Sequence, residues 1–185
     1  MQTTVDKGAP LMSWVRALRS QANLCRGRKI QAFVVDVDGV LTDGSFLYDS
    51  SGKKYKRFGP DDADALKILG GYIEIEVVSA DSRGFEISRA RVADMGLQLS
   101  LVSSGDRLAW VAERYEFSSV AYMGDSFQDA ELLRTVGLGL CPGNGHFRAK
   151  EAAAIVTRCD GGSRAVAEAC GIIARRNQLP IGRLL

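Results

Sequence analysis

From residue 30 onward, short apolar runs alternate with stretches of helical period. Residues 30–36 form a run rich in Val and Phe that reads as a buried strand, and residues 72–79, 99–102, 120–123, 137–140 and 155–157 repeat the pattern. Between them, apolar residues recur at three- and four-residue spacing over 61–69, 85–95, 106–115, 129–136, 149–153 and 164–175, which predicts helices. Asp61 or Asp62 stands at the start of the first helix, and Ser163 is placed to cap the last. One segment departs from this rhythm. Phe46 and Tyr48 alternate with polar residues, Asp49-Ser50-Ser51-Gly52 is a turn signal, and residues 55–58 return as a second strand, predicting a hairpin. Strands alternating with helices predict an α/β fold: a Rossmann-like parallel sheet with helices on both faces and a β-hairpin flap after the first strand.

The ends of the chain differ in texture. Residues 1–29 read as an N-terminal extension with a short amphipathic helix over 11–25, the domain occupies 30–176, and 177–185 is an irregular tail containing Pro180 and Gly182. At 185 residues, 46% hydrophobic and 25% charged, the chain is one ordinary globular domain. A net charge of +2 with scattered basic residues gives no reason to expect a nucleic-acid partner. No apolar run approaches the ~20 residues of a membrane helix, and the N-terminus has no signal-peptide pattern. The four cysteines form no C-x-x-C pair, and with one histidine they read as idle thiols in a reducing cytoplasm rather than a zinc site.

The chemistry gathers where the first strand ends. Asp36-Val37-Asp38-Gly39 places two carboxylates one residue apart as the backbone leaves the sheet. A capping Asp and a turn Asp before glycine would also produce this pattern. Two like charges there otherwise need a cation, a shared proton or a reaction. Other strand ends carry Ser79, the loop before Arg107, and Asp125 with Asp129. In a parallel sheet these ends share one edge, where ligands bind in open α/β folds. Mg²⁺ suits a few carboxylates plus a phosphate, and the Ser79 hydroxyl and Arg107 cation suit phosphate oxygens.

This arrangement resembles the haloacid dehalogenase superfamily of phosphotransferases. Asp36-Val37-Asp38-Gly39-Val40-Leu41-Thr42-Asp43-Gly44 matches the opening signature, Ser79 the second motif, Arg107 the third, and Gly124-Asp125 with Asp129 the fourth. The resemblance implies Asp36 as nucleophile and Asp38 as general acid and base. It implies Mg²⁺ held by Asp36, by Asp38 through its backbone carbonyl and by Asp125, with Asp129 in support. Ser79 and Arg107 would bind phosphate, and Thr42, Asp62 and Arg83 are the expected substrate contacts. The intervals between the motifs are used up by the hairpin, two helices and a strand, so no cap domain is expected and a neighbouring subunit would cover the site.

Within the superfamily the chain is similar to the 3-deoxy-D-manno-octulosonate 8-phosphate phosphatases and the related N-acylneuraminate 9-phosphate phosphatases. Asp43-Gly44 with the hairpin, Tyr122-Met123-Gly124-Asp125, Val136-Gly137-Leu138, His146 and Gly161-Gly162 followed by Ala165-Val166 and Glu168 carry that similarity. It implies a cytoplasmic homotetramer that hydrolyses a sugar phosphate. Three positions depart from the family pattern. Asp61 precedes Asp62 where Arg or Lys is usual, Ser79-Ala80-Asp81 replaces Thr-Gly-Arg, and Arg107 replaces lysine. Asp61 and Asp81 are therefore expected to repel an acidic substrate unless Arg83 or a partner residue compensates. Two other readings are a non-catalytic oligomerisation or regulatory domain, like that at the end of animal N-acylneuraminate cytidylyltransferases, and a phospho-acceptor signalling domain.

Overall fold

The computed structural model describes residues 27–180. The helix expected over 11–25 and most of the C-terminal tail lie outside them. Six strands form one parallel sheet: β1 (Ala32–Asp36), β4 (Glu74–Ser79), β5 (Leu99–Leu101), β6 (Val120–Met123), β7 (Leu138–Cys141) and β8 (Ile155–Val156), in the order β5-β4-β1-β6-β7-β8. β2 (Thr42–Asp49) and β3 (Gly52–Phe58) form the separate antiparallel hairpin. The helices are α1 (Asp62–Leu69), α2 (Phe85–Asp94), α3 (Arg107–Ala112), α4 (Ala130–Thr135), α5 (Phe147–Ala152) and α6 (Ala165–Asn177).

Alternation along the strands divides the core in two. Phe33, Val35, Val77 and Met123 pack beneath α1, α2 and α6, with Leu66, Val92 and Ile173. Val34, Val78, Val120 and Tyr122 face the other way, onto Val111 of α3, Leu133 of α4 and Ala149 of α5. Each such side chain, fully buried, stabilises by about 1.5–3 kcal/mol. A one-residue slip would exchange the two faces, so β1 is pinned in register and Asp36 with it. No cap domain interrupts the sheet, as expected.

β1 lies where the strand order turns: the chain runs out through β4 and β5, then crosses to β6 on the opposite side of β1. A crevice at the carboxyl ends follows from that reversal. Its floor is the turn Val37–Leu41, in which Gly39 has φ +81°. A Cβ on Gly39 would stand 2.1 Å from Asp125 Oδ2. Gly161 and Gly162 brace the turn from behind. The Gly162 N–H donates to the Val40 carbonyl at 2.9 Å, and a Cβ on Gly161 would reach the Gly39 oxygen at 1.9 Å. Glycine is required at these positions by close backbone approach.

The last helix is held differently from the expectation. Ser163 does not cap α6. Asp62, buried at the start of α1, accepts the Ala167 N–H through Oδ1 at 2.8 Å. α6 also runs to Asn177, whose amide accepts the Ile30 N–H at 2.8 Å and donates to the Ile30 carbonyl at 2.7 Å. That pair ties the end of the helix to the segment leading into β1.

Candidate active site

Asp36 ends β1 and is 5% exposed. Its Oδ1 accepts the Val37 N–H at 2.8 Å, and both oxygens accept from Arg107, NH2 to Oδ1 and NH1 to Oδ2, each at 2.9 Å. Arg107 opens α3 and is itself buried. The second hydrogen on the same NH1 nitrogen is shared between Asp129 Oδ1 at 2.9 Å and the Tyr122 hydroxyl at 2.7 Å. Tyr122 in turn donates to Asp129 Oδ1 at 2.5 Å. Such a planar fork engages several acceptors at once, which an ammonium cannot reproduce.

Asp129 is turned back toward β6 by a reciprocal cap. Its Oδ2 accepts the Ser126 N–H at 2.9 Å, while Ser126 Oγ accepts the Gln128 N–H at 3.1 Å. Gly124 leaves room for this, since a Cβ there would come 2.6 Å from Asp129 Cγ. The Asp125 carbonyl accepts the His146 N–H at 2.7 Å, so the exposed His146 steadies the loop by its backbone.

Carboxylate oxygens of Asp36, Asp125 and Asp129 lie within 4.8 Å of one another. Burial pushes Asp36 up to about 7, with Arg107 pulling it down and Asp129 and Asp125 adding to the rise. Burial, then Asp129, pushes Asp125 up to about 6. Three negative charges against one guanidinium leave two uncompensated. A divalent cation with hard oxygen ligands matches that deficit, and opposed ligands of one Mg²⁺ stand about 4 Å apart. The donor set and the cradle at Gly39 therefore fit such an ion.

Asp38 belongs to a second charge cluster. Lys56 Nζ stands 2.7 Å from its Oδ1, and Ser79 Oγ donates to its Oδ2 at 3.1 Å. Lys56, with a side chain fully removed from solvent, also lies 2.8 Å from Asp81 and donates to Ser88 Oγ at 2.8 Å. Lys53 meets Asp81 at 2.5 Å. Burial alone would raise Asp81, but hydrogen bonds from Lys53 and Lys56 outweigh it and hold the carboxyl at about 2. Asp81 is thus neutralised from the hairpin. The bare repulsion expected from it is corrected, and Asp61 is likewise paired, with Arg164 at 2.5 Å.

A cavity of about 500 Å³ opens over these groups, lined by Asp36, Asp38, Asp125, Arg107, Phe46 and Lys53 among others. Several expected contacts lie elsewhere. Asp62 serves α6, as described. The buried Thr42 hydroxyl accepts the Gly39 and Gly44 N–H groups and donates to the Val37 carbonyl, fixing the turn. Arg83 is exposed and does not line the cavity. Ser79 is fully buried against Asp38. Sequence reasoning missed Lys53, Lys56 and Tyr122. The lysines stand in a strand that reads as solvated, and Tyr122 reads as core.

A family profile described as haloacid dehalogenase-like hydrolase matches residues 107–169. The 3-deoxy-D-manno-octulosonate 8-phosphate phosphatase of Escherichia coli is 28% identical over 158 residues, 81% of this chain and 82% of that protein. A probable phosphatase from Pseudomonas syringae superposes with a TM-score of 0.77 at 29% identity, covering 85% of this chain and 92% of that one. The 3-deoxy-D-manno-octulosonate 8-phosphate phosphatase of Moraxella catarrhalis, solved with magnesium, phosphate and 3-deoxy-D-manno-octulosonate, superposes with a TM-score of 0.74 at 26% identity over 87% and 92% of the two chains.

Proposed function

From its place in the haloacid dehalogenase superfamily, to which this chain belongs, we propose that it is a Mg²⁺-dependent phosphatase of an acidic eight- or nine-carbon sugar phosphate, 3-deoxy-D-manno-octulosonate 8-phosphate or a close relative. The observation that carries this reading is the convergence of Asp36, Asp125 and Asp129 on one point, with Arg107 spanning Asp36 and Asp129.

Asp36 is the nucleophile. It sits at the rigid end of a central strand, and Arg107 and the Val37 N–H fix its plane. Attack transfers the phosphoryl group to one Asp36 oxygen as the bond to the sugar oxygen breaks. Asp38 donates a proton to the departing alkoxide, then takes one from the water that hydrolyses the aspartyl phosphate. Ser79 and Lys56 hold the Asp38 carboxyl in place for both steps. Arg107 stays cationic throughout and offsets the charge that phosphate brings to a carboxylate. Asp36, the Asp38 carbonyl and Asp125 would hold the ion, with Asp129 orienting the set. When bound, the ion supplies neutralisation of the phosphate and polarisation of its oxygens.

We also infer a homo-oligomer, most simply a tetramer, working in the cytoplasm. Leu47 and Tyr55, paired across the hairpin, are 63% and 67% exposed, an uncovered apolar pair that favours cover by a second copy. The described cysteines, Cys141, Cys159 and Cys170, are free thiols, which fits a reducing compartment. Among the described residues no helix is long and apolar enough to cross a membrane.

The test is phosphate release from a panel of sugar phosphates with Mg²⁺, with chelator, and with Asp36→Asn, on preparations also characterised by sedimentation. Release from the keto-acid esters is expected, lost with chelator and reduced at least ~10³-fold in the variant. Equal release by wild type and variant would overturn the mechanism. A fully active monomer would overturn the shared cover.

A further inference from the structure

Four charges alternate in a chain from the sheet edge to the hairpin: Asp38, Lys56, Asp81 and Lys53, linked at 2.7, 2.8 and 2.5 Å. Asp81 is held from several sides. Lys56, shared with Asp38, and Lys53 both reach its Oδ2, and its Oδ1 accepts the Gly84 N–H at 3.1 Å. Gly84 is small for this reason, since a Cβ there would meet Asp81 Oδ2 at 2.2 Å and the stems of both lysines within 3 Å. Lys53 closes the Asp81 pairing from the cavity side.

The two lysines differ in access. Lys56 is sealed, and Lys53 reaches the cavity. Among the described residues, the cations that line the cavity are Lys53 and Arg107. Arg107 is committed to Asp36, Asp129 and Tyr122 at the phosphate end. Lys53 stands on the hairpin wall, its ammonium 3.5 Å from the centroid of the Phe46 ring. An aromatic face with a cation over it suits a sugar skeleton that ends in an anion.

Resting on the phosphatase reading above, we propose that Lys53 is the specificity-determining residue for the end of the substrate remote from the phosphate. Its ammonium turns from Asp81 to a carboxylate of the bound ester, and Asp81 keeps the Gly84 N–H and Lys56, which it shares with Asp38. The exchange replaces one charge-assisted contact by another, and Asp38 and Asp81 both stay in contact with Lys56. The cation that recognises an acidic sugar is thus supplied by the hairpin, not by the loop after β4.

Lys53→Met and Lys53→Arg, in the full chain with Mg²⁺, test this on two esters with the same primary phosphate linkage: a keto-acid sugar phosphate and a neutral hexose 6-phosphate. For Lys53→Met the KM for the acidic ester is expected to rise about 10- to 100-fold with kcat nearly unchanged. The kcat/KM for the neutral ester stays within about threefold, because no charge is lost from its contacts. Lys53→Arg keeps the preference for the acidic ester. A Met variant that weakens both esters alike, or neither, overturns the proposal. If wild type hydrolyses no ester, the phosphatase reading is what fails. Calorimetric binding of the dephosphorylated keto acid then decides the role of Lys53: binding lost in Lys53→Met supports it, and equal binding in both proteins overturns it.

Discussion

Arg107 shows how one residue can hold three others. Two of its nitrogens serve Asp36, Asp129 and Tyr122 through four contacts of 2.7 to 2.9 Å. Lysine is the usual residue at this position in the resembled family, yet the surroundings here are shaped for a fork. Tyr122 is fully buried, and its hydroxyl accepts from the guanidinium at 2.7 Å. Arg107→Lys keeps the charge but cannot contact all four acceptors at once. It is expected to lower kcat/KM about tenfold or more and to cost roughly 1–3 kcal/mol of stability, the range for leaving buried polar partners unmet. Steady-state kinetics and denaturant unfolding check both figures. Full activity in the lysine variant would show that the fork is incidental. A cation at Arg107 was legible in the sequence, though as a partner for phosphate oxygens rather than for the carboxylates it spans. The role of Tyr122 was not, because a tyrosine in an apolar strand looks the same whether its hydroxyl is employed or idle.

The elements divide along the same line. Short apolar runs marked the strands of the sheet, since the sheet is covered on both faces. The hairpin was legible as a hairpin but not in which side chains it sends inward. Strict alternation places Lys53 and Lys56 on opposite faces. The pairing shows otherwise: Leu47 opposes Tyr55 while the adjacent Tyr48 opposes Lys53, so the returning strand carries one extra residue at Lys54. That bulge rotates Lys53 onto the face of Lys56 and Phe46. A register irregularity of this kind leaves no mark in the local sequence. The pairing of α1 with α6 was hidden for a related reason, because a cap supplied by a residue distant in the chain cannot be read from local spacing. Asp62→Ala removes the acceptor for Ala167 and is expected to cost about 1–2 kcal/mol. The KM for every substrate should stay unchanged. A raised KM with unaltered unfolding would place Asp62 among the substrate contacts.

At the scale of the whole molecule, the site weakens the fold that carries it. Asp36 and Asp125 are pushed up to about 7 and about 6, from an ordinary value of 3.8, by burial above all. Between about pH 4 and pH 7 the metal-free folded chain holds protons that the unfolded chain has released. Stability from these two groups is complete below about pH 4 and is lost as pH rises through 6 and 7. Asp81, held down at about 2, acts in the opposite sense but only below about pH 4, so it does not mask the trend. A divalent cation binds the ionised carboxylates, and its stabilisation must grow over the range in which the metal-free chain weakens. Thermal unfolding with chelator and with excess Mg²⁺, at pH 5.5 and pH 8, separates the two effects. The Mg²⁺-induced rise in Tm is expected to be larger at pH 8. Asp36→Asn, which has no proton to release and one fewer charged ligand, should shrink the rise and flatten its dependence on pH. A rise of equal size at both pH values in wild type would mean that the ion binds away from these carboxylates, and the charge deficit at the sheet edge would then need another explanation.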